Sequence, residues 1–213
     1  MIMKRLIKLV LIVLSVLAII FFSLKIENLE EYKTANTKVT FNATEYAEKF
    51  WKEKVPSIKN KAIETSELIP LLVNNPKEAF ENHSRVLGIS KTHYFITKGS
   101  GKITSIEDEY FVVKINENQT VKIATDFIFG NAVRDGSGEI SINEFLNMTD
   151  FNNVSVAINK LVKKNVVRKL QTTAEQGKTI DFVGATEIYE ENIDTENIRI
   201  IPVIANLGNG EKN

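Results

Sequence analysis

The sequence predicts an α+β fold that is mainly β, joined to an apolar N-terminal helix. Three observations support this prediction. Residues 91–206 contain runs rich in β-branched and aromatic side chains, residues 41–90 show helical periodicity, and residues 9–24 carry no charged side chain. The 213 residues suffice for one compact domain preceded by a helical segment.

The N-terminal segment has the pattern of a membrane anchor. Residues 6–24 would extend about 28 Å as a helix at about 1.5 Å per residue, close to the roughly 30 Å hydrocarbon core of a bilayer. Three basic residues precede the apolar run and three acidic residues follow it: Lys4, Arg5, Lys8, Glu27, Glu30 and Glu31. This asymmetry predicts a single-pass signal anchor within residues 1–25, with the N-terminus in the cytoplasm and the domain outside the cell membrane. A cleaved signal peptide is the alternative, although the bulky Phe21 disfavours cleavage after Ser23.

A polar stalk and a helical segment are predicted to follow the anchor. Residues 26–40 lack periodicity and form the stalk, whereas residues 41–90 form the helical segment. Its first helix has Asn42 as a candidate N-cap and ends near Pro56. Two shorter helices fit residues 66–73 and 76–87.

Five strands are predicted in the last segment, residues 91–206. They cover residues 93–106, 109–115, 119–129, 179–189 and 198–205. An amphipathic helix over residues 151–170, capped by Asp150, lies between strands 3 and 4. This order is the connectivity of an OB-fold, a five-stranded, partly open barrel. Pro202 indicates an edge or a bulge in the last strand, and residues 207–213 are predicted to be a flexible tail.

Composition excludes several functional classes. The 27 basic and 27 acidic residues balance, which disfavours nucleic acid as a partner. The absence of cysteine excludes disulfides, thiol nucleophiles and a lipid-attachment cysteine. No nucleophile motif or phosphate-binding loop is present, so we expect a protein that is not an enzyme and has no cofactor.

Residues 133–145 resemble an EF-hand calcium loop without its first ligand. Asp135 and Glu144 stand at positions three and twelve, but position one is Val133. We therefore predict a turn and no metal site. Arg134 and Asp135 are instead candidates for a binding surface, with the alternative that they brace the loop.

Four motifs carry a resemblance to a known family: Phe129-Gly130-Asn131-Ala132-Val133-Arg134-Asp135, Asp150-Phe151-Asn152, Phe182-Val183-Gly184-Ala185 and Ile201-Pro202-Val203. From the leader to about Ala205, the chain resembles the bacterial predicted periplasmic lipoproteins of unknown function, the domain-of-unknown-function family numbered 2291. The resemblance implies an OB-like domain behind a membrane anchor, in a family often encoded beside sugar ABC transporters. The candidate binding residues that carry it are Gly130, Arg134, Asp135 and Asn152. The family's lipobox cysteine is missing at Ser23-Leu24-Lys25, which excludes lipidation there.

We therefore expect a membrane-anchored extracytoplasmic accessory or binding protein associated with a carbohydrate ABC uptake system. Its partners would be the cytoplasmic membrane, through residues 6–24, and transporter components or a sugar. The alternative is a general cell-envelope interaction module unrelated to sugars. A binder of single-stranded nucleic acid, which would need exposed Tyr110 and Phe127 for stacking, is less favoured.

Overall fold

The computed structural model describes residues 2–23, 41–128 and 130–208. The chain divides into two compact units, Met1–Phe41 and Asn42–Asn213. The first unit contains helix α1, Ile2–Ser23. Across the described residues no helix combines the length and apolarity required to cross a membrane, so the transmembrane prediction for residues 6–24 is not confirmed. The predicted stalk, residues 26–40, lies outside the described residues.

The second unit begins with short helices, as predicted. They are α2 (Ala43–Glu53), α3 (Val55–Ile58), a 3₁₀ turn (Lys59–Lys61), α4 (Thr65–Asn74) and α5 (Pro76–His83). Asn42 caps α2, because its Oδ1 accepts hydrogen bonds from the backbone N–H groups of Thr44 and Glu45, both at 3.2 Å. Two-residue strands flank α4 and α5: β1 (Ile63–Glu64) and β2 (Ser84–Arg85). Helix α5 is therefore shorter than the predicted residues 76–87, because β2 replaces its last turn.

Five longer strands form the sheet that the sequence predicts. They are β3 (Thr92–Ile106), β4 (Tyr110–Asn116), β5 (Gln119–Ala124), β6 (Thr179–Tyr189) and β7 (Arg199–Leu207). The order β3-β4-β5-β7-β6 returns to β3, because β3 pairs with β6 as well as with β4. The pairing of β5 with β7 is parallel and the other four pairings in this ring are antiparallel. The predicted order of strands and central helix is confirmed.

The segment between β5 and β6 differs from the prediction. Strand β5 ends at Ala124 instead of residue 129. The predicted turn contains helix α6 (Ala132–Ser137) and a 3₁₀ helix (Ile142–Glu144). The predicted helix over residues 151–170 is continuous but has three parts: α7 (Met148–Val162), a π-helix (Lys163–Val167) and α8 (Arg168–Thr173). Asn147, and not Asp150, caps it, because the Asn147 Oδ1 accepts from the Asp150 N–H at 2.8 Å.

The core lies inside the closed sheet. Strand residues of alternating position face inward, among them Phe95, Ile103, Phe111, Val113, Ile123, Ile180, Phe182 and Ile200. Leu68 and Leu72 of α4 and Leu170 of α8 join this core. The side chains on the opposite face of β6 are covered in part by α6, which packs on both β3 and β6.

Candidate functional site

The four predicted binding residues lie together where α6 meets α7. Arg134 is at their centre and only 1% exposed. Its Nε and Nη2 atoms donate to Oδ1 and Oδ2 of Asp135 at 2.7 and 3.0 Å. Its Nη1 donates to the carbonyl oxygen of Phe151 at 3.0 Å and to Oδ1 of Asn152 at 3.3 Å. The guanidinium carbon lies 3.5 Å from the centre of the Phe151 ring, in cation–π contact.

Gly130 belongs to the same junction through its backbone. It adopts φ +82°, a left-handed conformation that glycine accommodates without strain. Its carbonyl oxygen accepts a hydrogen bond from Nδ2 of Asn159 on α7 at 2.9 Å. The four residues therefore join α6 to α7. Because Arg134 is buried and its donors are directed at the protein, the geometry favours the bracing alternative, and ligand binding by these residues stays a prediction.

In the segment that resembles a calcium loop, the carboxylates of Asp135 and Glu144 accept hydrogen bonds from other residues of the protein. The carboxylate of Asp135 receives both hydrogen bonds from Arg134. Glu144 accepts from the Tyr46 hydroxyl and from the Ser141 N–H, both at 2.7 Å. Among the described residues, no group of three or more His, Asp or Glu side chains is arranged to hold a metal ion.

A cleft of about 250 Å³ lies on the outer face of β6 and β7. Ala132, Ala185 and Ile201 contribute its apolar lining. Its polar lining comes from the strands and from the loop that joins them: Glu187, Tyr189, Asn192, Asp194, Asn197 and Arg199. The cleft is therefore amphipathic and of a size for a small polar solute.

Glu187 and Arg199 are neighbours across the strands that form the cleft. The β3–β6 register pairs Tyr94 with Glu187. In the β6–β7 register Ala185 pairs with Ile201. Two residues further along these antiparallel strands, Glu187 lies opposite Arg199. Desolvation by neighbouring groups raises the pKa of the Glu187 carboxyl although the side chain is exposed to solvent, and Arg199 opposes this shift. Burial, followed by the charges of Asp135 and Glu187, raises the pKa of Tyr94 to about 12.

The Glu187 carboxylate has acceptor capacity that the described residues do not use. Its side chain is exposed at the end of β6, and among the described residues no N–H or O–H group donates a hydrogen bond to it. Arg199 donates its Nη2 to the carbonyl oxygens of Asp126 at 2.6 Å and Phe127 at 3.4 Å. Glu187 can therefore accept hydrogen bonds from a ligand in the cleft.

The loop that borders the cleft is held by its own hydrogen bonds. Oδ1 of Asp194 accepts from the backbone N–H groups of Glu196 and Asn197, both at 3.1 Å. Oδ2 of Asp194 accepts from Nδ2 of Asn197 at 2.9 Å, and Oδ1 of Asn197 accepts from Nζ of Lys122 at 2.6 Å. This side of the cleft is consequently preformed.

A second group of polar side chains has the residue types of a hydrolase triad: Ser84, His93 and Glu190. Its hydrogen bonds, however, do not activate the serine. The Ser84 hydroxyl donates to the Phe80 carbonyl oxygen at 2.6 Å and lies 2.7 Å from Nδ1 of His93. Because its hydrogen is used, Ser84 accepts from His93 and is not activated as a nucleophile. The pKa of His93 is lowered by burial. The nearby Glu190, 4.0 Å from Nε2, only partly offsets this shift.

Sequence reasoning did not identify the cleft. Glu187 and Tyr189 alternate with the buried Ile188 at the end of β6, which indicates that they face outward. A charged residue at the start of the next strand, Arg199, was the other available signal. Only the strand register brings Glu187 and Arg199 together.

Comparisons with known proteins agree with this architecture. A family model described as predicted periplasmic lipoprotein (DUF2291) matches residues 14–206. The crystal structure of an OB-fold protein from Thermotoga maritima MSB8 is similar, with 25% sequence identity and a TM-score of 0.71, over 79% of this chain and 99% of that chain. This likeness confirms the predicted OB-fold. No curated protein matches the chain.

Proposed function

Because the chain belongs to the DUF2291 family of predicted periplasmic lipoproteins, we propose that it is a membrane-anchored extracytoplasmic protein that binds a small carbohydrate. The observation that carries this proposal is the Glu187 carboxylate, which faces the cleft without a hydrogen-bond donor among the described residues. Sugar hydroxyls donate to carboxylates and accept from guanidinium groups, so the Glu187 and Arg199 pair suits them. The cleft of about 250 Å³ suits a ligand of monosaccharide size.

The proposed biological setting is a carbohydrate ABC uptake system, in which the protein is an accessory that binds sugar without converting it. The family resemblance supports the association with uptake. Two features support binding without turnover: Ser84 is not activated, and Glu187 faces Arg199 instead of a second carboxylate.

An interaction module unrelated to sugars is the second candidate function. It is favoured by exposed apolar side chains where the chain enters α7: Leu146, just before the helix, is 87% exposed, and Met148, its first residue, is 50% exposed. These side chains suit a protein partner. Sugar titrations distinguish the two candidates, because a pure interaction module has no reason to bind a sugar in the Glu187 cleft.

We propose that the N-terminal segment holds the domain outside the cytoplasmic membrane. Spheroplasts containing the full chain should lose residues 42–213 to added protease, because that unit would face the medium. A variant lacking residues 2–24 should stay inside the cell, protected from protease. A cytoplasmic protein of the same cells, digested only after detergent lysis, is the control. Protection of the full chain in intact spheroplasts would contradict the proposed location.

Sugar binding is tested by titrating the full chain in detergent with D-glucose, D-galactose and D-ribose in a calorimeter and in thermal unfolding. A sugar at a hundred times its Kd should stabilise the fold by about 2.7 kcal/mol and raise Tm by several degrees. Glu187→Gln should weaken binding about 10- to 100-fold, because a charged hydrogen-bond acceptor is lost.

Glu48→Gln is the matched control, because Glu48 is exposed on α2 and does not line the cleft. It should bind as the wild type does. No heat and no Tm shift with any of the three sugars would rule out the proposed ligand class and leave the interaction module as the function to pursue.

A further inference from the structure

Strands β6 and β7 stop pairing before either strand reaches the loop that joins them. Their ladder ends at Ala185 and Ile201, whereas β6 continues to Tyr189 and β7 begins at Arg199. On its other side, β6 stays paired with β3 as far as Tyr189. The cleft is lined by the unpaired ends of both strands, so it lies at a gap in the closed sheet.

The backbone groups of Glu187 are directed into this gap. In an antiparallel pair, alternate residues of a strand direct both the N–H and the C=O group at the same neighbouring strand. The Glu190 N–H donates to the carbonyl oxygen of Lys91, just before β3, at 2.9 Å. By alternation, Ile188 also faces β3 and Glu187 faces β7. Glu187 therefore directs a backbone donor and a backbone acceptor at the cleft.

Arg199 directs its backbone groups at the same gap from the other side. The Ile198 carbonyl oxygen accepts from the N–H of Lys122 on β5 at 2.9 Å, so the next residue, Arg199, faces β6. Because the ladder ends one rung earlier, the Glu187 N–H is not joined to the Arg199 carbonyl oxygen. The cleft thus has a donor on one strand and an acceptor on the other, where one more rung of the ladder would lie.

A secondary amide is a ligand group that completes such a rung. Its planar trans unit holds the N–H and the C=O in opposite directions, so it can donate to β7 and accept from β6 at once. Ala185 and Ile201, the last pair of the ladder, offer apolar contact to a methyl group at the closed end of the cleft. Asn192 and Asn197 of the loop line the cleft as well and suit the hydroxyls of a sugar ring.

We infer that the cleft is specific for a 2-acetamido sugar, whose amide joins the Glu187 N–H to the Arg199 carbonyl oxygen. This inference rests on the proposed function and narrows its ligand class to sugars that carry an acetamido group. The acetamido carbonyl oxygen accepts from β6, its N–H donates to β7, and its methyl group lies against Ala185 and Ile201. The Glu187 carboxylate stays available to the ring hydroxyls.

The first test is calorimetric titration of the full chain, in a detergent without a sugar head group, with two pairs of probes: D-glucose and N-acetyl-D-glucosamine, and D-galactose and N-acetyl-D-galactosamine. For at least one pair, the wild type should bind the acetamido sugar about tenfold more tightly than the parent sugar, because two hydrogen bonds are added. Glu187→Gln should weaken the binding of both members of that pair by about the same factor. The preference should therefore persist in this variant, because the amide contacts the backbone and not the carboxylate.

Hydrogen exchange of the Glu187 N–H tests the backbone contact directly. A saturating acetamido sugar should slow this exchange about tenfold or more, whereas the parent sugar at equal occupancy should not. The Ala185 N–H, in the last pair of the ladder, is the control and should exchange at the same rate with either sugar. Equal affinities within both pairs, loss of the preference in Glu187→Gln, or an unprotected Glu187 N–H would overturn this inference and leave the proposed function standing. Binding of none of the four probes would remove the proposed function and this inference with it.

Discussion

Replacing Arg134 by alanine is expected to lower the free energy of unfolding by about 3–5 kcal/mol. The Arg134 side chain is 1% exposed and the Asp135 side chain 6% exposed, so removal of the guanidinium leaves a buried carboxylate without its partner. The substitution also removes the donor to the Phe151 carbonyl oxygen and the contact with the Phe151 ring. Urea unfolding of the wild type and the variant measures the difference.

Two variants distinguish the buried pair from a general effect of losing an arginine. Arg168→Ala, on the exposed side of α8, should change the free energy of unfolding by no more than about 0.5 kcal/mol. The double variant Arg134→Met and Asp135→Asn should recover more than half of the loss, because neither charge remains buried. A loss below about 1 kcal/mol for Arg134→Ala would show that the pair does not brace α6.

The contacts that Arg134 makes with α7 also affect the cleft, because they hold α6 in place. Helix α6 packs on β3 and β6, and its Ala132 lines the cleft beside Ala185 of β6. Arg134, two residues after Ala132 in this short helix, fixes α6 to α7. Through α6, Arg134 therefore supports the part of the cleft wall that Ala132 forms.

The strands were predictable from local sequence because their side chains alternate. Residues 179–189 were predicted as a strand, and β6 has these bounds, since inward Ile180, Phe182 and Ile188 alternate with outward residues. The end of β5 was not predictable. Residues 127–129 continue its apolar run, but the turn that ends the strand is fixed by Gln171 and Arg199, which are distant in sequence.

The candidate site was also only partly predictable from local sequence. The sequence alone indicated Arg134 and Asp135 as candidate site residues. Their burial, however, depends on packing between α6 and α7. The cleft depends on the registers of β3, β6 and β7, which place Tyr94, Glu187 and Arg199 in one row. A shift of one residue would turn Glu187 to the other face of the sheet, and no local pattern determines such a register.

Gly184 lies at the irregularity in the β6–β7 ladder and has no space for a side chain. The β6–β7 ladder shifts between Val183 and Gly184, next to Pro202, whose predicted position at a bulge is confirmed. A Cβ atom at Gly184 would lie 2.4 Å from Cγ2 of Ile200 and 2.5 Å from the Ile201 carbonyl oxygen. The second contact is with backbone, which cannot rotate away as a side chain can.

Gly184→Ala is therefore expected to lower the free energy of unfolding by about 3 kcal/mol, at the upper end of the usual range for overpacking. Gly208→Ala is the control, because its added Cβ would be 3.6 Å from the nearest atom, Cβ of Thr179, an ordinary contact. Urea unfolding should show a change of no more than about 0.5 kcal/mol for the control. Equal effects of the two substitutions would mean that β6 and β7 separate easily at the bulge, and the cleft above it would then not be preformed.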